Sequence, residues 1–243
     1  MRRFFCPAEN ISDKRAKITE KDEIHHILHV LRLDIEDKLI IFDGKSREYV
    51  CKIVQYTNEG IILEIVCLMR PRNQTTDICI ACALPKGKNF SFIVEKLTEL
   101  GINEIVPVIT TRTVAKPDLN KLNAKLEHWK RIALNAAKQS RRTTLPVIGS
   151  VICFKEALSY AAGFYLKLIA CLNDKNNIFI SNVLNKKNDK VFILIGPEGD
   201  FTDAEVEMAL KSGFKSATLG NNVLKVETAA IFAASVLISY AES

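Results

Sequence analysis

The chain has 243 residues, 48% of them hydrophobic, and a formal net charge of +6. That length accommodates one large domain or two small ones, each with its own core. No apolar run approaches the roughly 20 residues of a membrane-spanning helix, and the N-terminus, MRRFFCPAEN, lacks the apolar stretch of a secretion signal.

Short strand-like runs open the chain: Phe4-Phe5, Lys38 to Phe42, Tyr49 to Gln55 and Ile61 to Cys67, with Asp43-Gly44 and Asn58-Glu59-Gly60 as turn signals. One helix interrupts them. Thr19 is its expected N-cap, Asp22 and Glu23 fall in its first turn, and Ile24, Ile27, Leu28 and Leu31 form its apolar stripe. Several short strands with one helix predict a small β-barrel over residues 1–72. His25 and His29 have the i, i+4 spacing of a zinc pair, but the glutamate of H-E-x-x-H is missing and no third ligand is nearby. With His26 they read as surface or packing histidines.

Arg70-Pro71-Arg72-Asn73-Gln74 is polar and broken by proline, which predicts a linker. Residues 73–243 then alternate strand and helix, the pattern of an α/β domain with a mainly parallel sheet. The expected elements are a strand Ile78 to Leu84, a helix Phe90 to Leu100 capped by Gly101, a strand Ile105 to Ile109 and a long basic helix from Leu119 to Gln139. A helix from Phe154 to Ala161 and a strand from Tyr165 to Leu172 follow. Cys79 and Cys82 have C-x-x-C spacing, but a strand points them to opposite faces, so they read as buried apolar cysteines rather than a metal pair. The odd total of seven cysteines, scattered through apolar surroundings, predicts reduced thiols in a cytoplasm.

Charge is concentrated. Eight basic residues lie between Lys116 and Arg142 against only Asp118 and Glu127, an excess equal to that of the whole chain. A cluster this local predicts phosphate-backbone contact rather than an ordinary solvated face.

The segment from Val191 to Ala230 repeats one device twice. First Val191 to Ile195 runs into Gly196-Pro197-Glu198-Gly199 and a helix from Thr202; then Ala217 to Leu219 runs into Gly220-Asn221-Asn222 and a helix opening at Glu227-Thr228. Such turns expose backbone groups at strand ends, where open α/β sheets place ligands, so a small-molecule pocket is expected between the two loops. The last helix, to Tyr240, is apolar nearly all round, with Ser235 and Ser239 supplying a narrow polar stripe. Burial on two sides is expected, against its own sheet and against a second subunit.

GPEG, followed by a strand and then LG-x-x-[VI]-L-[RK]-x-ETA, resembles the RsmE-type methyltransferases of the SPOUT superfamily. The resemblance extends through Arg3-Phe4-Phe5, His25-His26 with Val30-Leu31-Arg32, Leu84-Pro85-Lys86-Gly87, Glu95-Lys96 with Glu99-Leu100-Gly101, Pro107, Arg112, Trp129, Gln139-Ser140 with Arg142, and Pro146. It implies a PUA-like RNA-binding β-barrel over 1–72 and a trefoil-knotted SPOUT domain over 73–243. It implies a homodimer that methylates N3 of a uridine in 16S ribosomal RNA of the small subunit, with S-adenosylmethionine as cofactor and no metal or membrane. Other RNA positions, such as a ribose 2′-OH, and a non-catalytic ribosome-assembly role are the alternatives.

By the same resemblance Leu172, Ile195, Gly196, Pro197, Glu198, Gly199, Leu219, Gly220, Val223, Leu224, Lys225, Glu227, Thr228 and Ala229 would hold the cofactor. RNA contacts would come from Arg3, His26, Arg32, Arg112, Lys130, Arg131, Gln139 and Arg142. Uridine N3 carries an imide proton that must leave, so a base or a cation is needed. Glu99, Lys96 and Arg112 are the candidates, with a surface ion pair as the plain alternative for the first two. The sequence departs from the family at Asp200, where a second glycine is usual, at Lys225 for arginine, at Asn221-Asn222 for Pro-Arg, and at Lys138 and Arg141 for Glu and Gly.

Overall fold

The computed structural model describes residues 1–70, 76–87, 89–114, 121–172, 178–184 and 190–241. Pro71 to Gln74 of the expected linker, Lys116 and Asp118 of the charge cluster, and the expected helix start at Leu119 lie outside the described residues. The chain divides into two compact units.

The first unit, Met1–Asn73 with Ala137–Leu145, is built on a five-stranded sheet. Its strands are β1 (Arg3–Phe5), β2 (Arg15–Ile18), β3 (Lys38–Phe42), β4 (Glu48–Thr57) and β5 (Gly60–Leu68), in the order β1-β3-β4-β5-β2. All neighbours are antiparallel except β1 and β3. Register shifts in the β4–β5 pair at Val50/Cys51 and Ile53/Gln55 bend the ribbon. The sheet curls until Cys6, just past one edge strand, reaches the Lys17 carbonyl of the other at 3.5 Å. Phe4, Ile18, Ile27, Leu39, Ile41, Ile53 and Leu63 fill the interior.

β2 is not among the expected strands, because Arg15 and Lys17 alternate with buried Ala16 and Ile18 over only four residues. The helix differs too. α1 (Lys21–His25) starts from Glu20 without a side-chain cap and runs into a π-helical turn at His26–Val30. Thr19 is not the cap, because its hydroxyl accepts instead from the Asn10 amide at 3.1 Å.

Ala137–Leu145 falls in the first unit rather than with the residues around it in sequence. The reason is a set of specific bonds. The Arg3 guanidinium donates to the carbonyls of Ala137 (3.2 Å) and Arg142 (2.8 Å) while pairing with Glu48 at 2.5 Å. Ser46 N–H donates to Thr143, Leu145 N–H donates to Gly44, and Lys138 pairs with buried Glu23 at 2.5 Å.

The second unit holds a parallel sheet in the order β11-β13-β10-β12-β6-β7-β8, with β9 also pairing β7. Its strands are β6 (Asp77–Ala83), β7 (Glu104–Ile109), β8 (Val147–Ile148), β9 (Ile152–Cys153), β10 (Leu166–Ala170), β11 (Ile178–Phe179), β12 (Lys190–Ile195) and β13 (Lys215–Thr218). The helices are α2 (Asn89–Leu100), α3 (Leu122–Ser140), whose residues from Ala137 on count with the first unit, α4 (Phe154–Tyr160), α5 (Ile180–Val183), α6 (Asp203–Lys211) and α7 (Val226–Ala241).

The strands are apolar on both faces, as burial between two helical layers requires. Ile78, Ile80, Cys82, Ile193 and Ile195 face one core with α2 and α7; Cys79, Ala81, Phe192 and Leu194 face the other with α4 and α6. Cys79 and Cys82 therefore do point to opposite faces, and burial pushes both thiols above the ordinary range. α2 ends as expected at Gly101, whose φ of +98° allows Ile102 N–H to bond back to Leu97 O at 3.0 Å. No helix among the described residues is long and apolar enough to cross a membrane.

Candidate active-site cleft

β10, β12 and β13 all run in parallel, so their carboxyl ends open on one edge of the sheet. A cleft lies there. Ala170, Cys171 and Leu172 line it from β10; Ile195, Gly196, Pro197, Glu198 and Asp200 from β12; Leu219, Gly220, Asn222, Val223 and Leu224 from β13. Val226 and Ala229, one helical turn apart at the start of α7, close it.

Ten of the fourteen expected cofactor residues meet in this cleft. Gly199, Lys225, Glu227 and Thr228 are outside its lining. Gly199 backs onto the aliphatic part of Arg112, 3.5 Å from its own ideal Cβ position. Lys225 and Thr228 are exposed, and the helical phase of α7 turns Val226 and Ala229 inward in place of Glu227 and Thr228. Ala170, Cys171, Asp200, Asn222 and Val226 were missed by the sequence reading. The position of Cys171 and Asp200 beside expected residues was the available signal.

The two glycine turns serve different ends. A Cβ on Gly196 would come within 3.1 Å of the Phe201 ring and 3.3 Å of an Asp200 carboxylate oxygen, so its missing side chain makes room for the loop itself. Gly220 has φ +133° with nothing within 4 Å of its Cβ position. Its glycine is required by backbone conformation, on an open side of the cleft.

The Gly196–Phe201 loop is pinned from three other strand ends, those of the neighbouring β6 and β10 and of β7 one place further. Glu198 accepts from Lys86 N–H, past β6, at 3.0 Å. Arg112, past β7, donates to the carbonyls of Gly199 (2.6 Å) and Phe201 (3.2 Å). Asp200 accepts from Leu172 N–H, past β10, at 3.0 Å. Beneath the loop, Glu205 is buried and caps α6 through Thr202, while its other oxygen accepts from Thr111 N–H (2.9 Å) and hydroxyl (3.0 Å).

The other expected residues are distributed differently. Lys96 bridges Glu95 (2.8 Å) and Glu99 (2.9 Å) on α2, and Lys96 and Glu99 do not line the cleft. Bonding to Glu95 and then Glu99 holds the Lys96 ammonium above its ordinary range, which disfavours it as a proton acceptor. His26, Arg32, Lys130, Arg131 and Gln139 are exposed, and Phe4 packs against the His26 ring at 5.8 Å. Arg3 and Arg142 are instead built into the first unit. Arg3 stacks over Phe42 at 3.9 Å, and Arg142 donates to Thr144 Oγ1 at 3.1 Å. Burial pulls the Arg142 guanidinium down to about 10, still a cation at neutral pH.

A ligand cleft at the carboxyl edge of a parallel sheet, on a chain with a separate curled antiparallel unit, sets the class to be sought among known proteins. A family model described as "RNA methyltransferase domain" matches residues 71–238, and one described as "RNA methyltransferase PUA domain" matches residues 18–66. Ribosomal RNA small subunit methyltransferase E of Mesomycoplasma hyopneumoniae is 36% identical over 222 residues, covering 88% of this chain and 94% of that protein. The protein of the same name from Bacillus subtilis is 32% identical, covering 90% and 88%. The solved structure of ribosomal RNA small subunit methyltransferase E from Neisseria gonorrhoeae bound to S-adenosyl methionine superposes with a TM-score of 0.84 at 28% identity, covering 98% of this chain and 96% of that one. The class is RNA methyltransferase. Within it, the chain belongs to the ribosomal RNA small subunit methyltransferase E family.

Proposed function

We propose that this protein transfers the methyl group of S-adenosylmethionine to N3 of a uridine in 16S ribosomal RNA of the small subunit, acting as a cytoplasmic homodimer. The observation that carries the reading is the cleft between the β12 and β13 loops. Ile195, Leu219, Leu224 and Val226 give it apolar walls, and Glu198 and Asp200 are the charged side chains of its lining among the described residues. That lining suits an adenosine carrying a cationic sulfonium, with Gly220 leaving room for close backbone approach.

When bound, S-adenosylmethionine supplies an electrophilic methyl on a positively charged sulfur. The protein's part is positional. The three pins on the Gly196–Phe201 loop hold one wall rigid before ligand arrives, so little ordering is left to be done at the moment of transfer. Transfer forms an N3–CH3 bond, breaks the S–CH3 bond and releases the N3 proton. Exposed Lys130 and Arg131 on α3 would hold RNA phosphates.

Purified protein incubated with small subunits and methyl-labelled S-adenosylmethionine tests the reading. The expected outcome is label in 3-methyluridine after digestion of the RNA; label in a different nucleoside, or none, would overturn it.

A further inference from the structure

Asp200 occupies a position that the cleft does not need for its shape alone. It sits at φ +59°, a left-handed conformation costly for most side chains, and its own N–H closes a turn onto Pro197 O at 2.9 Å. Its carboxylate is held by two backbone donors, Phe201 N–H at 2.8 Å and Leu172 N–H at 3.0 Å. Those bonds fix a negative charge in the wall of the cleft. Asp200 also lines the adjoining cavity with Asp203 and Glu207. Among the described residues, neither cavity has a lysine or arginine in its lining and no ion pair engages Asp200 or Glu198.

A fixed carboxylate without a cationic partner favours a ligand that brings its own positive charge. In the proposed reaction the donor and the product differ by one methyl group and by charge: the sulfonium becomes a neutral thioether. Apolar walls bind the two alike. A buried or half-buried charge separates them, and favouring the charged form shifts occupancy from product to fresh donor.

We propose that Asp200 is a selectivity residue of this cleft, whose carboxylate favours the sulfonium-bearing methyl donor over its neutral thioether product. The proposal rests on the methyl-donor reading of the cleft. It separates charge selection from the clamping of Leu172, because loss of the clamp weakens both ligands together whereas loss of the charge weakens only the cation.

The test is calorimetric titration of wild type, Asp200→Asn and Asp200→Gly with S-adenosylmethionine and with S-adenosylhomocysteine. Asparagine keeps the side-chain size and one of the two acceptor oxygens, and glycine suits φ +59°; thermal unfolding of each variant checks that it stays folded. The ratio of the S-adenosylhomocysteine Kd to the S-adenosylmethionine Kd should fall by about three- to tenfold in both variants, the scale of one partly screened charge. An unchanged ratio, even with both affinities reduced, would overturn the proposal and leave Asp200 as a clamp. A wild type that binds neither ligand would overturn the methyl-donor reading and this proposal with it; a wild type that binds both with an unmoved ratio in the variants overturns only this one.

Discussion

Arg112 donates to the carbonyl of Gly199 at 2.6 Å, which makes a residue from the end of β7 part of the Gly-Pro-Glu-Gly turn at the end of β12, two places away in the sheet. A guanidinium gripping backbone carbonyls is a structural use of a residue that the resemblance assigns to RNA or catalysis.

Arg112→Ala should therefore weaken donor binding before it affects RNA binding. Losing two charge-assisted bonds to one loop should raise the S-adenosylhomocysteine Kd by about tenfold, as read by calorimetry. Arg112→Lys should recover only part of this, because an ammonium cannot reproduce the forked geometry. Wild-type affinity in Arg112→Ala would mean that the loop holds itself.

Glu205 should be a stability residue. Its oxygens serve Thr111 and Thr202, so Glu205→Ala would leave the Thr111 and Thr202 N–H groups without their partner. A loss of about 3 kcal/mol in urea unfolding is expected. Glu205→Gln keeps a single acceptor oxygen and should cost less. A loss under about 1 kcal/mol for alanine would contradict the bonding described.

The basic segment holds two kinds of basic residue. Exposed Lys130 and Arg131, replaced together by Gln, should flatten the log K versus log salt slope for RNA by somewhat under one unit per contact. Arg142→Gln should instead lower the unfolding temperature of the protein, since the largely buried Arg142 guanidinium bonds Thr144 Oγ1. A slope equal to wild type in the double variant would make Lys130 and Arg131 an ordinary solvated face.

On α7, Ala230, Ala233, Ala234 and Leu237 are buried within the unit, while Thr228, Ser235 and Ser239 are exposed and Ile231 is half-buried beside them. The expected dimer surface is that second face. Ile231→Asp should shift light scattering at dilute concentration from dimer to monomer and reduce donor affinity. Leu237→Asp is the wrong probe of assembly, because it would place a carboxylate in the unit's own core. A wild-type monomer that methylates RNA would defeat the dimer.

What the sequence made legible follows period and turn chemistry. β3 and β12 stand out as apolar runs, α2 as a helix ended by Gly101, and α6 by its start near Thr202. The two-residue strands β8, β9 and β11 carry no such pattern, being set by the neighbours they pair with. No periodicity encodes the insertion of β12 between β6 and β10, or the return of Ala137–Leu145 to the first unit. The cleft was legible because consecutive residues carry it. The carbonyl contacts of Arg3 and Arg112 were not, because a guanidinium that grips carbonyls looks in sequence like one that grips phosphate.

The most direct test of the central claim is nucleoside analysis of small-subunit ribosomal RNA from cells lacking this protein, with and without the gene restored. The account predicts that 3-methyluridine disappears and returns with the gene. Retention of 3-methyluridine, with loss of a ribose 2′-O-methyl mark or of no mark, would contradict it.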